Sequence, residues 1–305
     1  MSSELNSLIN KIQSGDWRAL SRAMTLVEND AAGKKFILEN ISVRSKVPVI
    51  GITGAPGAGK SSLVNALLKQ FTAEKKKIAV LAVDPSSPFT KGAILGDRLR
   101  LSNHFTNENI FIRSLATRGS LGGLCAAAIE ITDLLRSAPF DYIVIETVGV
   151  GQSEVEIVGI AAATVVVVVP ESGDEIQAMK SGLMETGDFF VVNKSDRADA
   201  DRAVSALHAM MHTHHGESWF PPVIKTIATT GEGVDELRKQ IEIFLALKSN
   251  PERKNYFLGE KAWQLIAKKK MENISAEKLA EEIAIASQKP DFNFYRFILE
   301  KAKAN

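Results

Sequence analysis

The chain has 305 residues, 45% of them hydrophobic and 24% charged, which is ordinary for a globular protein and long enough for one large α/β domain with additions. A formal net charge of +1 gives no electrostatic reason to expect nucleic acid or an anionic membrane as a partner. The single cysteine, Cys125, excludes an internal disulfide and fits a reducing, cytoplasmic setting.

Taken in chain order, residues 1–46 are expected to form a helical extension. Leu5, Leu8, Ile9 and Ile12, then Leu20, Met24, Leu26 and Val27, recur at helical spacing, and Asp16-Trp17 marks a break between two helices. The N-terminus shows no basic region followed by an apolar core, so no secretory signal is expected. From Pro48 the pattern changes to strands alternating with helices. Strands are expected at Val47–Thr53, Ile78–Val83, Ile110–Ser114, Tyr142–Thr147, Thr164–Val169, Phe189–Asn193 and Val223–Ala228. Helices are expected between them, including Leu121–Arg136, Ala198–His212 and Val234–Leu247. This alternation predicts a doubly wound, mostly parallel sheet in an α/β domain over 47–249. The longest apolar run, Ile157 to Val169, is too short to span a bilayer and reads as a buried strand. After Asn250-Pro251 the alternation stops, and 250–305 reads as a helical arm whose aromatics need a surface to pack on.

Three sets of residues carry chemistry. Gly54-Ala55-Pro56-Gly57-Ala58-Gly59-Lys60-Ser61, followed by Ser62, is a complete phosphate-binding loop between a strand and a helix. Its glycines let backbone N–H groups point at phosphate oxygens, and the helix N-terminus adds partial positive charge. Lys60 can reach the β- and γ-phosphates, and the Ser61 hydroxyl can ligate magnesium. The second set, Asn193-Lys194-Ser195-Asp196, follows a strand about 130 residues further on. The Asp196 carboxylate can accept from the N1–H and exocyclic amine of guanine, whereas adenine would leave it unpaired. Asn193 would bridge base and loop, the Lys194 stem would cover the ring, and an N–H near Ala228 would meet the guanine O6.

The third set is acidic. Asp141 to Gly149 is an apolar strand ending at Glu146, with Gly149 placed to sense a γ-phosphate. Asp84 and Asp97 lie at a strand end and in an adjacent loop, so Ser61, Asp84, Asp97 and Glu146 are the expected magnesium shell. Lys60, Glu146 and Asp97 are the expected catalytic residues. Arg98, Arg100 and Arg118 are candidate cations for the transition state, and Gln152 is not assigned to water positioning. His208 and His212 have metal-ligand spacing, although a solvated helix end explains them as well.

Together these motifs resemble the MeaB/ArgK family of P-loop GTPases. The resemblance is carried by 54–62, Val83 to Pro88, Gly96 to Arg100, Arg118 to Gly123, Glu146-Thr-Val-Gly-Val-Gly-Gln-Ser-Glu154 and 193–196, and covers about residues 1–250. It implies a magnesium-dependent GTPase, alternating between GTP and GDP, that acts as a chaperone. The client would be an adenosylcobalamin-dependent acyl-CoA mutase, typically methylmalonyl-CoA mutase, whose cofactor loading it gates. It also implies a homodimer formed through the 250–305 arm, a partner-coupling segment at Pro170 to Lys180, and cobalamin held by the mutase rather than by this chain. Ile227 departs from the serine that relatives often carry before Ala228. Two other readings remain open: an ArgK-like transport-associated ATPase or kinase, and a metal-insertion GTPase.

Overall fold

The chain is described from a computed structural model. The described residues are 2–43, 46–84, 101–116, 127–147, 157–171, 187–211, 219–247, 259, 262–263, 266–267, 269–271, 274–289 and 291–304. Residues Met1–Ser249 form one compact unit and Asn250–Asn305 a second.

The first unit is built on seven strands: β1 (Val49–Thr53), β2 (Ile78–Asp84), β3 (Ile110–Ala116), β4 (Tyr142–Glu146), β5 (Ala163–Val168), β6 (Phe189–Asn193) and β7 (Val223–Thr226). Their spatial order is β3-β2-β4-β1-β5-β6-β7, and every neighbouring pair is parallel. The doubly wound sheet expected from the alternating pattern is present. Central strands β1, β5 and β6 are buried at every position, as a sheet covered on both faces demands. Edge strands β3 and β7 carry part-exposed residues instead.

Strand ends differ from expectation for local reasons. Proline has no N–H for a ladder, so β1 starts at Val49, after Pro48, rather than at Val47. β7 stops at Thr226, two residues early, because the Ile227 N–H turns to Glu232 O at 3.0 Å.

The helices of this unit are α1 (Ser2–Gln13), α2 (Trp17–Glu28), α3 (Lys34–Asn40), α4 (Lys60–Ala73), α5 (Ala127–Arg136), α6 (Ala200–Met211) and α7 (Val234–Leu247). The valine run of β5 feeds two cores by strict alternation. Val165 and Val167 join Ile50, Ile52, Leu63, Leu67 and Phe244 on the α4 and α7 face. Val166 and Val168 join Phe190, Val192 and Leu207 on the α6 face.

The expected break at Asp16 is a helix cap. Asp16 Oδ1 accepts from the N–H groups of Arg18 at 2.9 Å and Ala19 at 3.0 Å. Those backbone bonds, the one from Ala19 foremost, hold its carboxyl below the usual range. Next to it, the Trp17 ring stacks on Phe140 at 4.7 Å, and its Nε1–H donates to Glu108 O. Arg113 of β3 donates to Glu28 at 3.0 Å, and Lys34 bridges Asp30 and Glu130. The N-terminal helices are thereby bound to the sheet. α3 is not foreshadowed by the helical spacing of α1 and α2; it opens at Gly33, whose φ of +100° only glycine adopts easily.

His104 ties the chain before β3 to α4. Its Nε2 lies 2.6 Å from Asn65 Oδ1, and because an amide oxygen only accepts, Nε2 carries the proton. Burial, with Lys69 nearby, pushes its pKa below the ordinary 6.5. The unfolded chain therefore binds this proton first, so His104 makes the fold lose stability as pH falls from 6.5 toward the lowered value. Denaturant melts at pH 7.5 and 5.5 test this: the acid loss should be smaller in His104→Gln than in the parent chain, and an equal loss would refute the assignment.

The second unit contains α8 (Ala276–Ala286) and α9 (Phe294–Ala304). Their apolar sides flank a groove of about 490 Å3 lined by Met271, Leu279, Ile283, Phe294, Phe297 and Ile298. Among the described residues of this unit none is buried, and Trp263, Ile285 and Tyr295 are each at least two-thirds exposed. No described helix is long and apolar enough to cross a membrane.

Candidate functional site

The phosphate loop leaves the C-terminal end of β1, where the strand order reverses between β4 on one side and β5 on the other. Its shape depends on three left-handed glycines, Gly54 at φ +134°, Gly57 at +81° and Gly59 at +90°. Two are also needed for space. A Cβ on Gly54 would stand 2.0 Å from Val167 O, and one on Gly59 would stand 2.2 Å from Asn193 Nδ2. The loop is thus pressed between β5 and the asparagine of the second motif.

Lys60 and Ser61 open α4 and are both buried. Lys60 Nζ donates to Gly54 O at 2.8 Å and Ala55 O at 3.0 Å, which places its charge inside the loop. Ser61 Oγ donates to Glu146 Oε1 at 2.5 Å. Glu146 ends β4, which pairs with β1 at Ile52↔Glu146, so the sheet brings an acid 85 residues away onto the loop's serine. Two buried oxygen donors beside a cluster of N–H groups suit a hard divalent cation that bridges to phosphate. One residue on, the Thr147 hydroxyl donates to Thr53 Oγ1 at 3.0 Å. Sequence reading missed that pair, because neither threonine belongs to a recognisable ligand pattern.

The second motif meets the first through its side chains. Asn193, at the end of β6, donates from Nδ2 to Ala58 O at 2.8 Å. Its Oδ1 accepts from Ala228 N and Thr226 Oγ1, both at 3.1 Å. The Ala228 N–H, expected at a guanine O6, is here directed to Asn193. Lys194 adopts φ +57° and donates from Nζ to Gly57 O at 2.8 Å, laying its stem along the loop. Asp196 is exposed beside it. Arg197, next in the chain, pairs with Glu171 at 2.7 Å, and that hydrogen bond holds the Glu171 carboxyl below its usual range. Glu171 belongs to the Pro170 to Lys180 segment expected to couple to a partner, but its pairing with Arg197 was not foreseen, since an isolated opposite charge pair has no motif.

Ala55, Pro56 and Ser62 complete the described loop. Asp84 ends β2, one strand from Glu146, and its backbone pairs with Ala116. The Asp84 side chain, Asp97, Gly149, Arg98, Arg100, Arg118, Gln152 and the 172–180 part of the expected partner segment lie outside the described residues. So do His212, His214 and His215, while His208 stacks on Phe220 at 6.5 Å. Among the described residues no group of three metal-ligating side chains is found.

The model of the methylmalonyl Co-A mutase-associated GTPase MeaB family matches residues 20–282. A Pyrococcus horikoshii relative, provisionally named a GTPase, is 46% identical over 243 residues, covering 78% of this chain and 77% of that one. The mouse mitochondrial methylmalonic aciduria type A homolog is 31% identical, covering 93% of this chain and 75% of its own length. Among solved structures, a LAO/AO transport system kinase superposes with a TM-score of 0.71 at 24% identity, covering 99% of this chain and 97% of the other, a likeness of fold. With a family model spanning most of the chain, a phosphate loop after β1 and Asn193-Lys194-Ser195-Asp196 at the end of β6, this chain belongs to the MeaB family of GTPases.

Proposed function

We propose that the chain binds GTP with magnesium, hydrolyses it, and uses that cycle to gate cofactor loading of an adenosylcobalamin-dependent acyl-CoA mutase, with methylmalonyl-CoA mutase the first candidate. One observation carries the nucleotide reading: Asn193 and Lys194 bond directly to the carbonyls of Ala58 and Gly57, joining base-reading and phosphate-holding loops at one end of the sheet. The phosphates would lie over the loop N–H groups at the start of α4, with Lys60 leaving its loop carbonyls for the β- and γ-oxygens. Ser61 and Glu146, with Asp84 and Asp97, would hold magnesium, which neutralises phosphate charge when bound. Asn193, Lys194 and Asp196 would hold the base, and Gly149 would contact the γ-phosphate. In-line attack of water then needs charge stabilisation by Lys60 and loop N–H groups rather than a covalent intermediate.

The mutase assignment is supported by the family's description and by the name of the mouse relative. We place cobalamin on the mutase. The 250–305 unit is read as a homodimer arm, which its wholly unburied described residues and apolar groove support.

The test is GTP hydrolysis by the purified chain, alone and with methylmalonyl-CoA mutase from the same source, with ATP as control. The expected result is use of GTP only and acceleration by the mutase of about tenfold or more, a barrier lowering of about 1.4 kcal/mol. Equal rates with and without mutase would remove the mutase from the proposal, and preference for ATP would remove the guanine reading.

A further inference from the structure

Thr53 is the last residue of β1, and Thr147 follows the last residue of β4. Both are buried, at 0% and 2% exposure. Thr147 Oγ1 donates to Thr53 Oγ1 at 3.0 Å, and the Thr147 N–H donates to Ile52 O at 3.0 Å. The two threonines extend the β1–β4 pairing one residue past the Ile52↔Glu146 register. Side chains alternate across a sheet, so Ile52 and Glu146 share the α4 face, where Glu146 meets Ser61. The threonines stand on the opposite face. There Gly51, of the same parity, abuts Ile157, from which a Cβ would be only 2.5 Å away.

We propose that Thr53 and Thr147 are positioning residues that set Glu146 against Ser61 for the divalent metal accompanying the nucleotide; this rests on the nucleotide-site reading above. Packing alone gives no reason for hydroxyls here. The neighbouring strand uses Val166 and Val168 at buried positions, and valine would fill the same volume with no polar group to desolvate. A hydroxyl pair adds direction: it fixes two strand ends at one separation. Glutamate needs that more than aspartate would, because its extra methylene adds a torsion between backbone and carboxylate. With the Glu146 backbone clamped between Tyr142–Ile145 on one side and the Thr147–Thr53 and Thr147–Ile52 bonds on the other, the carboxylate reaches Ser61 from one origin. The pair acts through Glu146, from the face of the sheet opposite Ser61.

The experiment uses the full-length chain with Thr53→Val, Thr147→Val and the double variant. Two quantities are read: the melting temperature without nucleotide, and the Mg2+ concentration that half-saturates the change in affinity for a fluorescent GDP. Each single variant leaves one buried hydroxyl without its partner and is expected to melt about 2–4 °C lower. The double variant replaces both hydroxyls by apolar groups and should recover most of that loss. Half-saturation should rise on the order of tenfold in the single variants, as for other residues that orient a metal ligand, and stay raised in the double variant. Recovery of Mg2+ response together with melting temperature would make the pair structural and overturn the proposal, as would single variants with unchanged Mg2+ response. A parent chain whose GDP affinity ignores Mg2+ would remove the divalent metal from Ser61 and Glu146 and overturn the proposal, whereas a parent chain that binds no GDP would overturn the nucleotide-site reading itself.

Discussion

Asp196→Ala is expected to weaken GTP binding by about 30- to 4,000-fold and to leave the melting temperature nearly unchanged. The affinity loss follows from what guanine presents. Its N1–H and exocyclic amine are two donors that a single carboxylate satisfies, and removing the acceptor strands both against protein, at about 2–5 kcal/mol. At about 1.4 kcal/mol per tenfold, that is the stated range. The fold is spared because Asp196 is exposed, on a turn held by other groups: Ser195 N–H to Thr226 O and Arg197 N–H to Lys194 O, both at 3.1 Å. Asp196→Asn sharpens the test. An amide can still accept from N1–H but offers an N–H where the guanine amine stood, so preference should move to xanthosine nucleotides, whose C2 carries an oxygen. Nucleotide titration of both variants checks this, and unchanged GTP affinity in Asp196→Ala would remove Asp196 from the base site.

Gly54→Ala is expected to cost about 3–5 kcal/mol of stability, a large share of what a domain has, and to abolish nucleotide binding. Two penalties coincide at this position. The φ of +134° is a conformation that residues with a Cβ rarely adopt, and the added Cβ would lie 2.0 Å from Val167 O, a backbone atom near the C-terminal end of β5. No side-chain rotation relieves that contact, so either β5 or the loop must move. If the loop moves, its N–H groups no longer converge and the Lys60 bonds to Gly54 O and Ala55 O are lost. At about 2–4 °C per kcal/mol, the melting temperature should fall by roughly 6–20 °C. Gly57→Ala is the control. Its φ is also positive, at +81°, yet nothing lies within 4 Å of a Cβ there, so strain alone applies, at about 1–2 kcal/mol. Equal melting temperatures for the two variants would show that the approach of β5 to the loop does not constrain it.

The division between what sequence reveals and what it hides runs along contact distance. The phosphate loop was legible because its chemistry is local: eight consecutive residues set their own backbone, and Gly54, Gly57 and Gly59 stand where left-handed φ values occur. The strands were legible because β1, β5 and β6 are buried on both faces and so must be continuous apolar runs. The break at Asp16 was legible, though not its role as a cap, because a cap satisfies N–H groups only two and three residues away.

By itself, then, the sequence determined the parallel α/β class, the loop, the acid at the end of β4 and the motif after β6, all of which follow from short-range backbone preferences and from which side chains avoid water. Only the tertiary structure decided the neighbours. That β4 inserts between β1 and β2 brings Glu146 to Ser61 and Thr147 to Thr53. That β5 alone separates β1 from β6 lets Asn193 and Lys194 reach carbonyls 135 and 137 residues earlier in the chain. Periodicity states which face of a strand is buried but not which strand lies beside it. Strand order is set by how all the helices can cover both faces at once, and that is a property of the whole packed chain.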